Sequence, residues 1–135
     1  MPKEGALAGL RILVVEDEPI VAWDLAESLE TYGCEIVGPA YDLTQAKALS
    51  RENSLDGAVL DVNLGGEKVF PLADALAEVP IPFCFVTGYG VAGLRPEDLE
   101  HPVLQKPVDT EFLVQVVERW RPAGRGVRVE ADNAS

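Results

Sequence analysis

Four positions in the sequence set a chemically capable side chain directly behind a short apolar run. Glu16-Asp17-Glu18 follows Arg11-Ile-Leu-Val-Val15, Asp61 follows Gly57-Ala-Val-Leu60, Thr87 follows Pro82-Phe-Cys-Phe-Val86, and Lys106 follows the run from Pro102 to Gln105. If those runs are neighbouring strands, the groups share one cleft. Glu16, Asp17 and Asp61 then repel one another, by about 4 kcal/mol for each pair ~4 Å apart at an effective dielectric of about 20. A divalent cation relieves that repulsion. Hard oxygen donors favour Mg²⁺, which keeps several waters and takes one or two carboxylates, so Asp17 and Asp61 are expected as direct ligands and Glu16 through water. The backbone carbonyl of Asn63 is expected to complete the protein ligands. With that charge balanced, the Asp61 carboxylate can attack phosphorus and form an aspartyl phosphate. Phosphoryl transfer asks mainly for positioning and charge neutralisation, which Lys106, the Thr87 hydroxyl and backbone N–H groups after Asp61 are placed to supply.

The elements that must hold these groups follow from periodicity. Arg11 to Val15, Glu35 to Val37, Gly57 to Leu60, Pro82 to Val86 and Pro102 to Gln105 read as five strands. Pro19 suits a first helical turn, and Val21, Leu25, Leu29 and Tyr32 form one stripe that Gly33 terminates. Further helices are expected from Leu43 to Glu52, from Val69 to Glu78 and from Asp109 to Trp120. In the last, Asp109 is the N-cap and Phe112, Leu113, Val116, Val117 and Trp120 are the buried side. Between Gly90 and Glu100 glycines and Pro96 leave room only for a short or irregular helix. Strands alternating with helices imply an α/β fold, a single doubly wound five-stranded parallel sheet of flavodoxin-like order 2-1-3-4-5. Ligand sites of such sheets lie at the carboxyl ends of the strands, where Glu16, Asp17, Asp61, Thr87 and Lys106 all fall.

Composition narrows the classes. The chain of 135 residues with 47% apolar content supports one core. Residues 10–120 are expected to form the domain, with 1–9 as a frayed lead-in and 121–135 as a flexible tail. Eleven basic against 23 acidic residues, a net charge of −12, argue against nucleic acid or anionic membrane surfaces as ligands. Neither a signal-peptide pattern nor a run of about 18 apolar residues occurs, so a cytoplasmic location is expected. Cys34 and Cys84 sit in apolar runs and read as buried reduced thiols.

Taken together, Val14-Val15-Glu16-Asp17-Glu18-Pro19, Val59-Leu60-Asp61-Val62-Asn63-Leu64, Phe85-Val86-Thr87-Gly88 and Gln105-Lys106-Pro107 resemble the response-regulator receiver domain, over roughly Leu10 to Trp120. The resemblance implies a phosphoprotein of two-component signal transduction, phosphorylated at Asp61 with Mg²⁺ as cofactor. It further implies a sensor histidine kinase or histidine phosphotransfer protein as donor, slow self-dephosphorylation, no other enzymatic activity, and a cis peptide before Pro107. Receivers of this type couple the Thr87 position to an aromatic residue in the fifth strand. Here that position is Val103, and the Phe-x-Thr-Gly ending is similar to a subgroup marked by Phe-Ala-Thr-Gly-hydrophobic-Tyr. Val86 replaces the Ala, Gly90 takes the sixth place, and Tyr89 stands as the candidate replacement switch. Output is expected through protein contacts on the Gly90 to Trp120 face, by a monomer or weak dimer whose downstream effector the sequence does not name.

Each residue also has a plainer reading. Glu16 to Glu18 could be a solvated run at a helix start, Asp61 a turn residue, Lys106 a surface lysine and Thr87 a strand-end hydroxyl; only the set argues otherwise. Trp23 and Trp120 read as helix-face packing, His101 as a loop residue, and Gly65-Gly66 as a loop without a phosphate-binding fingerprint. Two rival functions remain: an adaptor that binds partners without phosphorylation, which Val103 favours, and a flavodoxin-like electron carrier, which the acidic first loop disfavours by repelling a cofactor phosphate.

Overall fold

The computed structural model describes residues 4–121. The expected tail therefore lies, apart from Arg121, outside the described residues. Among the described residues seven strands and four α-helices follow one another: β1 (Arg11–Val15), α1 (Pro19–Thr31), β2 (Glu35–Ala40), α2 (Leu43–Glu52), β3 (Gly57–Asp61), β4 (Asn63–Leu64), β5 (Glu67–Lys68), α3 (Phe70–Glu78), β6 (Phe83–Thr87), β7 (Val103–Gln105) and α4 (Thr110–Glu118). A 3₁₀ turn at Pro96–Glu100 is the only helical piece between β6 and β7, as the glycines and Pro96 require. The main sheet is parallel, in the order β2-β1-β3-β6-β7. This is the expected topology, with β4 and β5 set apart as a small antiparallel hairpin.

Alternation along each strand fills both faces of the sheet. Leu13, Val15, Ala58, Leu60, Phe83 and Phe85 point into one core, closed by Leu43 and Ala46 of α2 and Leu72, Ala73 and Leu76 of α3. Ile12, Val14, Val59, Cys84 and Val86 point into the other, closed by Leu25 and Leu29 of α1 and Leu113, Val114, Val116 and Val117 of α4. Local signals set the ends of the helices. Asp42 accepts from Gln45 N–H at 2.8 Å and Asp109 from Glu111 N–H at 3.0 Å, while Gly33, at φ +100°, ends α1. Gly57 is required by close approach: a Cβ there would lie 2.2 Å from the Trp120 ring.

Three expectations change. The lead-in is not frayed over its described part, because Leu7 is fully buried in the α1/α4 core and its N–H donates to Tyr32 O at 2.8 Å. On α4, Phe112 is exposed and Val114 takes its place inside, since the buried side is centred one residue further along the helix. Strand β2 continues through Gly38-Pro39 to Ala40, which aligns with Val15 after a register shift. Both cysteines are buried, as expected.

Candidate functional site

Register brings the strand tips together. Val15 aligns with Leu60, Asp61 with Val86, and Thr87 with Gln105, so the residues ending or following β1, β3, β6 and β7 face one cleft. Carboxylate oxygens of Glu16, Asp17 and Asp61 lie within 4.8 Å of one another. The Lys106 ammonium is 3.0 Å from Glu16 Oε1, 3.5 Å from Asp61 Oδ2 and 3.6 Å from Glu18 Oε1. Glu16 is wholly buried and Asp61 nearly so. Glu16 Oε2 accepts the Glu18 N–H at 3.1 Å, whereas Oε1 has the nearby ammonium but no well-directed hydrogen bond. Lys106 is joined to Pro107 by a cis peptide bond, and its own N–H donates to Thr87 O at 2.9 Å, which ties the two strand tips.

Charge here is unbalanced. Burial, followed by the charge of Glu16, pushes the Asp61 carboxyl up to about 8, with Lys106 opposing only in part. For Lys106, burial works against the ammonium, but Glu16, Asp61 and Glu18 outweigh it and hold its pKa above the ordinary value. One ammonium among four carboxylates cannot neutralise them. The donor set of hard carboxylate oxygens, two of them on buried residues, therefore fits a divalent cation of the Mg²⁺ type.

Thr87 is buried, and its Oγ1 accepts the Tyr89 N–H at 3.1 Å, leaving the hydroxyl hydrogen to be donated elsewhere. Tyr89 itself is exposed and lines the cleft beside Gly88, Asn63, Gly65 and Gly66. Of the backbone N–H groups after Asp61, that of Val62 is taken by Val86 O at 3.2 Å, so it is not available to a ligand. Val103 is part-buried against the α2/α3 core. Glu18, part of the acidic run read in the sequence, shares Lys106. Lys68 went unread: it donates to Asn63 Oδ1 across the β4–β5 hairpin. The signal for the hairpin was present, because Gly65-Gly66 between Leu64 and Glu67 is a two-residue hairpin loop.

A five-stranded parallel sheet with an acidic cleft and a lysine at its carboxyl end defines a signalling receiver by class. The chain belongs to the response regulator receiver domain family, whose model matches residues 12–118. PhyR from Methylorubrum extorquens is 34% identical over 92 residues, covering 64% of this chain and 34% of that protein. PdtaR from Mycobacterium tuberculosis is 31% identical over 112 residues, covering 80% and 55%. The chain thus spans between a third and about half of these relatives. Among solved structures, SdrG from Sphingomonas melonis Fr1 matches at 37% identity with a TM-score of 0.66, over 85% of this chain and 97% of that one. Among the described residues, no helix is long and apolar enough to cross a membrane.

Proposed function

We propose that this domain is a phosphoacceptor of two-component signalling. Asp61 takes a phosphoryl group from a phosphohistidine on a sensor histidine kinase or histidine phosphotransfer protein, and the phosphorylated form changes its contacts with a downstream protein. The observation that carries the reading is the gathering of Glu16, Asp17 and Lys106 around a nearly buried Asp61. Glu16, Asp17, Asp61 and the Asn63 carbonyl would hold Mg²⁺, which supplies positive charge against the carboxylates and the phosphoryl oxygens. Asp61 is the nucleophile: its oxygen bonds to phosphorus as the bond to the donor histidine nitrogen breaks, leaving that electron pair on the nitrogen. Lys106, held by Glu16, faces the transferred group, and Thr87 donates its free hydroxyl hydrogen. Because the Tyr89 N–H is bonded to that same hydroxyl oxygen, a movement of Thr87 carries Tyr89 with it. Tyr89 therefore replaces the aromatic switch missing at Val103. The acting unit is residues 10–120, in the cytoplasm, and its chemistry stops at its own phosphorylation and dephosphorylation.

Incubation with Mg²⁺ and a small acyl phosphate, followed by intact-mass measurement, tests this. Wild type should gain one phosphoryl group and Asp61→Asn none. A wild type that stays unmodified by acyl phosphate and by a panel of sensor kinases would favour the phosphorylation-independent adaptor.

A further inference from the structure

The β4–β5 hairpin beside Asp61 enters the scheme above only through the Asn63 backbone carbonyl, yet its side-chain geometry is tightly set. Asn63-Leu64 and Glu67-Lys68 are joined by Gly65 and Gly66, at φ +61° and +98°. A two-residue loop with positive φ at both positions is the turn whose twist matches antiparallel strands, and glycine enters it without a Cβ clash. The turn fixes the register, pairing Asn63 with Lys68 and Leu64 with Glu67. Leu64 is buried in the α2/α3 core, and Val69 N–H donates to Val62 O at 3.0 Å, so both ends of the hairpin are anchored. Directly paired residues project from the same face, which puts the Lys68 ammonium on the Asn63 carboxamide oxygen.

The atom it engages matters. A carboxamide oxygen has two lone pairs, and the Lys68 ammonium, which is not among the cleft-lining residues, takes one of them, so the Asn63 oxygen is held toward Lys68 and is a poorer acceptor for the cleft. Hydrolysis of an aspartyl phosphate forms a bond from water oxygen to phosphorus. The bond from phosphorus to the Asp61 oxygen breaks, and its electron pair stays on the carboxylate. The proton lost by the water goes to bulk solvent or to the released phosphate. An acceptor that orients the water and takes a hydrogen bond from it favours this attack. Asn63 lines the cleft two residues beyond Asp61, and its side-chain oxygen is a neutral acceptor of that kind.

We infer that Lys68 is a positioning residue which, acting through Asn63, withholds this acceptor and lengthens the life of the Asp61 phosphate. This rests on the phosphoacceptor reading. It concerns the Asn63 side chain and leaves the role of its backbone carbonyl unchanged.

The test phosphorylates the protein with Mg²⁺ and a small acyl phosphate, removes the donor by desalting, and follows loss of the phosphoryl mass with time. Lys68→Met should shorten the lifetime several-fold and Lys68→Arg should restore it. In an Asn63→Val background Lys68→Met should have no further effect, a dependence that a general loss of surface charge would not produce. An unchanged or longer lifetime in Lys68→Met, or the same shortening in the Asn63→Val background, overturns the inference. A wild type that takes no phosphoryl group at all overturns the phosphoacceptor reading, and this inference with it.

Discussion

At Arg95 a guanidinium meets Asp98 through its Nε and Nη2 at 2.9 and 2.8 Å, and Asp74 through both Nη atoms at 3.2 and 2.8 Å. At Lys106 a single ammonium is divided among Glu16, Asp61 and Glu18 at 3.0–3.6 Å. The outcomes are opposite. Hydrogen bonds from Arg95 hold both the Asp98 and Asp74 carboxyls below their ordinary range, while Asp61 is pushed up to about 8. Arginine's fixed fork of five donors matches two carboxylates, and its carbon stacks 4.4 Å above the Phe70 ring. Lysine brings three donors to a more buried and more acidic place. The first cluster, with Glu97 3.7 Å away at its edge, hydrogen-bonds both of its main carboxylates and ties the 3₁₀ turn to α3; the second leaves its carboxylates short of donors where a ligand can enter.

Substitutions should expose that contrast, most strongly at the Arg95 cluster. Arg95→Ala strands the buried Asp98 carboxylate and should cost about 2–3 kcal/mol in urea unfolding at neutral pH, within the range for breaking a buried pair and reduced because Arg95 is partly exposed. A loss below about 0.5 kcal/mol would show that Asp98 is solvated instead. Next in size, and opposite in sign, Asp61→Asn should raise the stability of the metal-free protein by roughly 1–2 kcal/mol, because it removes a carboxyl that ionises freely in the unfolded chain but whose ionisation burial and Glu16 oppose in the fold.

The pH profile sharpens the contrast. Asp61 is raised from 3.8 to about 8, so its favourable contribution is complete below 3.8 and is lost as pH climbs toward 8. Asp98 is lowered by Arg95, so its contribution is present above the ordinary carboxyl range and is lost as pH falls through its depressed value. Metal-free stability, followed by urea titration across this span, should fall on both the alkaline and the acid side. Asp61→Asn should flatten the alkaline arm and Arg95→Ala the acid arm. The smallest effect belongs to Asp74→Asn, about 0.5 kcal/mol or less in the same assay, because Asp74 is mostly exposed.

Much of this arrangement was legible because buried parallel strands leave continuous apolar runs, and a carboxylate, hydroxyl or lysine stands out at the end of each. The helix expected from Leu43 to Glu52 has those bounds in the structure, where the Asp42 side chain caps its start. Other features lay outside what periodicity can carry. Strands of two residues, such as β4 and β5, are too short to show alternation, so Gly65-Gly66 was the one local signal of the hairpin that pairs Lys68 with Asn63. Leu7 sits among turns with no repeat to mark it as buried. In α4, apolar residues crowd both flanks of the stripe, and the sequence could not choose between Phe112 and Val114. The Arg95 cluster joins residues 21 apart through side chains alone.

The claim that the strand tips hold negative charge in reserve for a divalent ion is tested most directly by calorimetric titration of Mg²⁺ at pH 7, repeated in buffers of different ionisation enthalpy. With the metal-free Asp61 carboxyl at about 8, binding should displace close to one proton, and Asp61→Asn should abolish the release. Binding without proton release, or no binding by a folded protein, would contradict it.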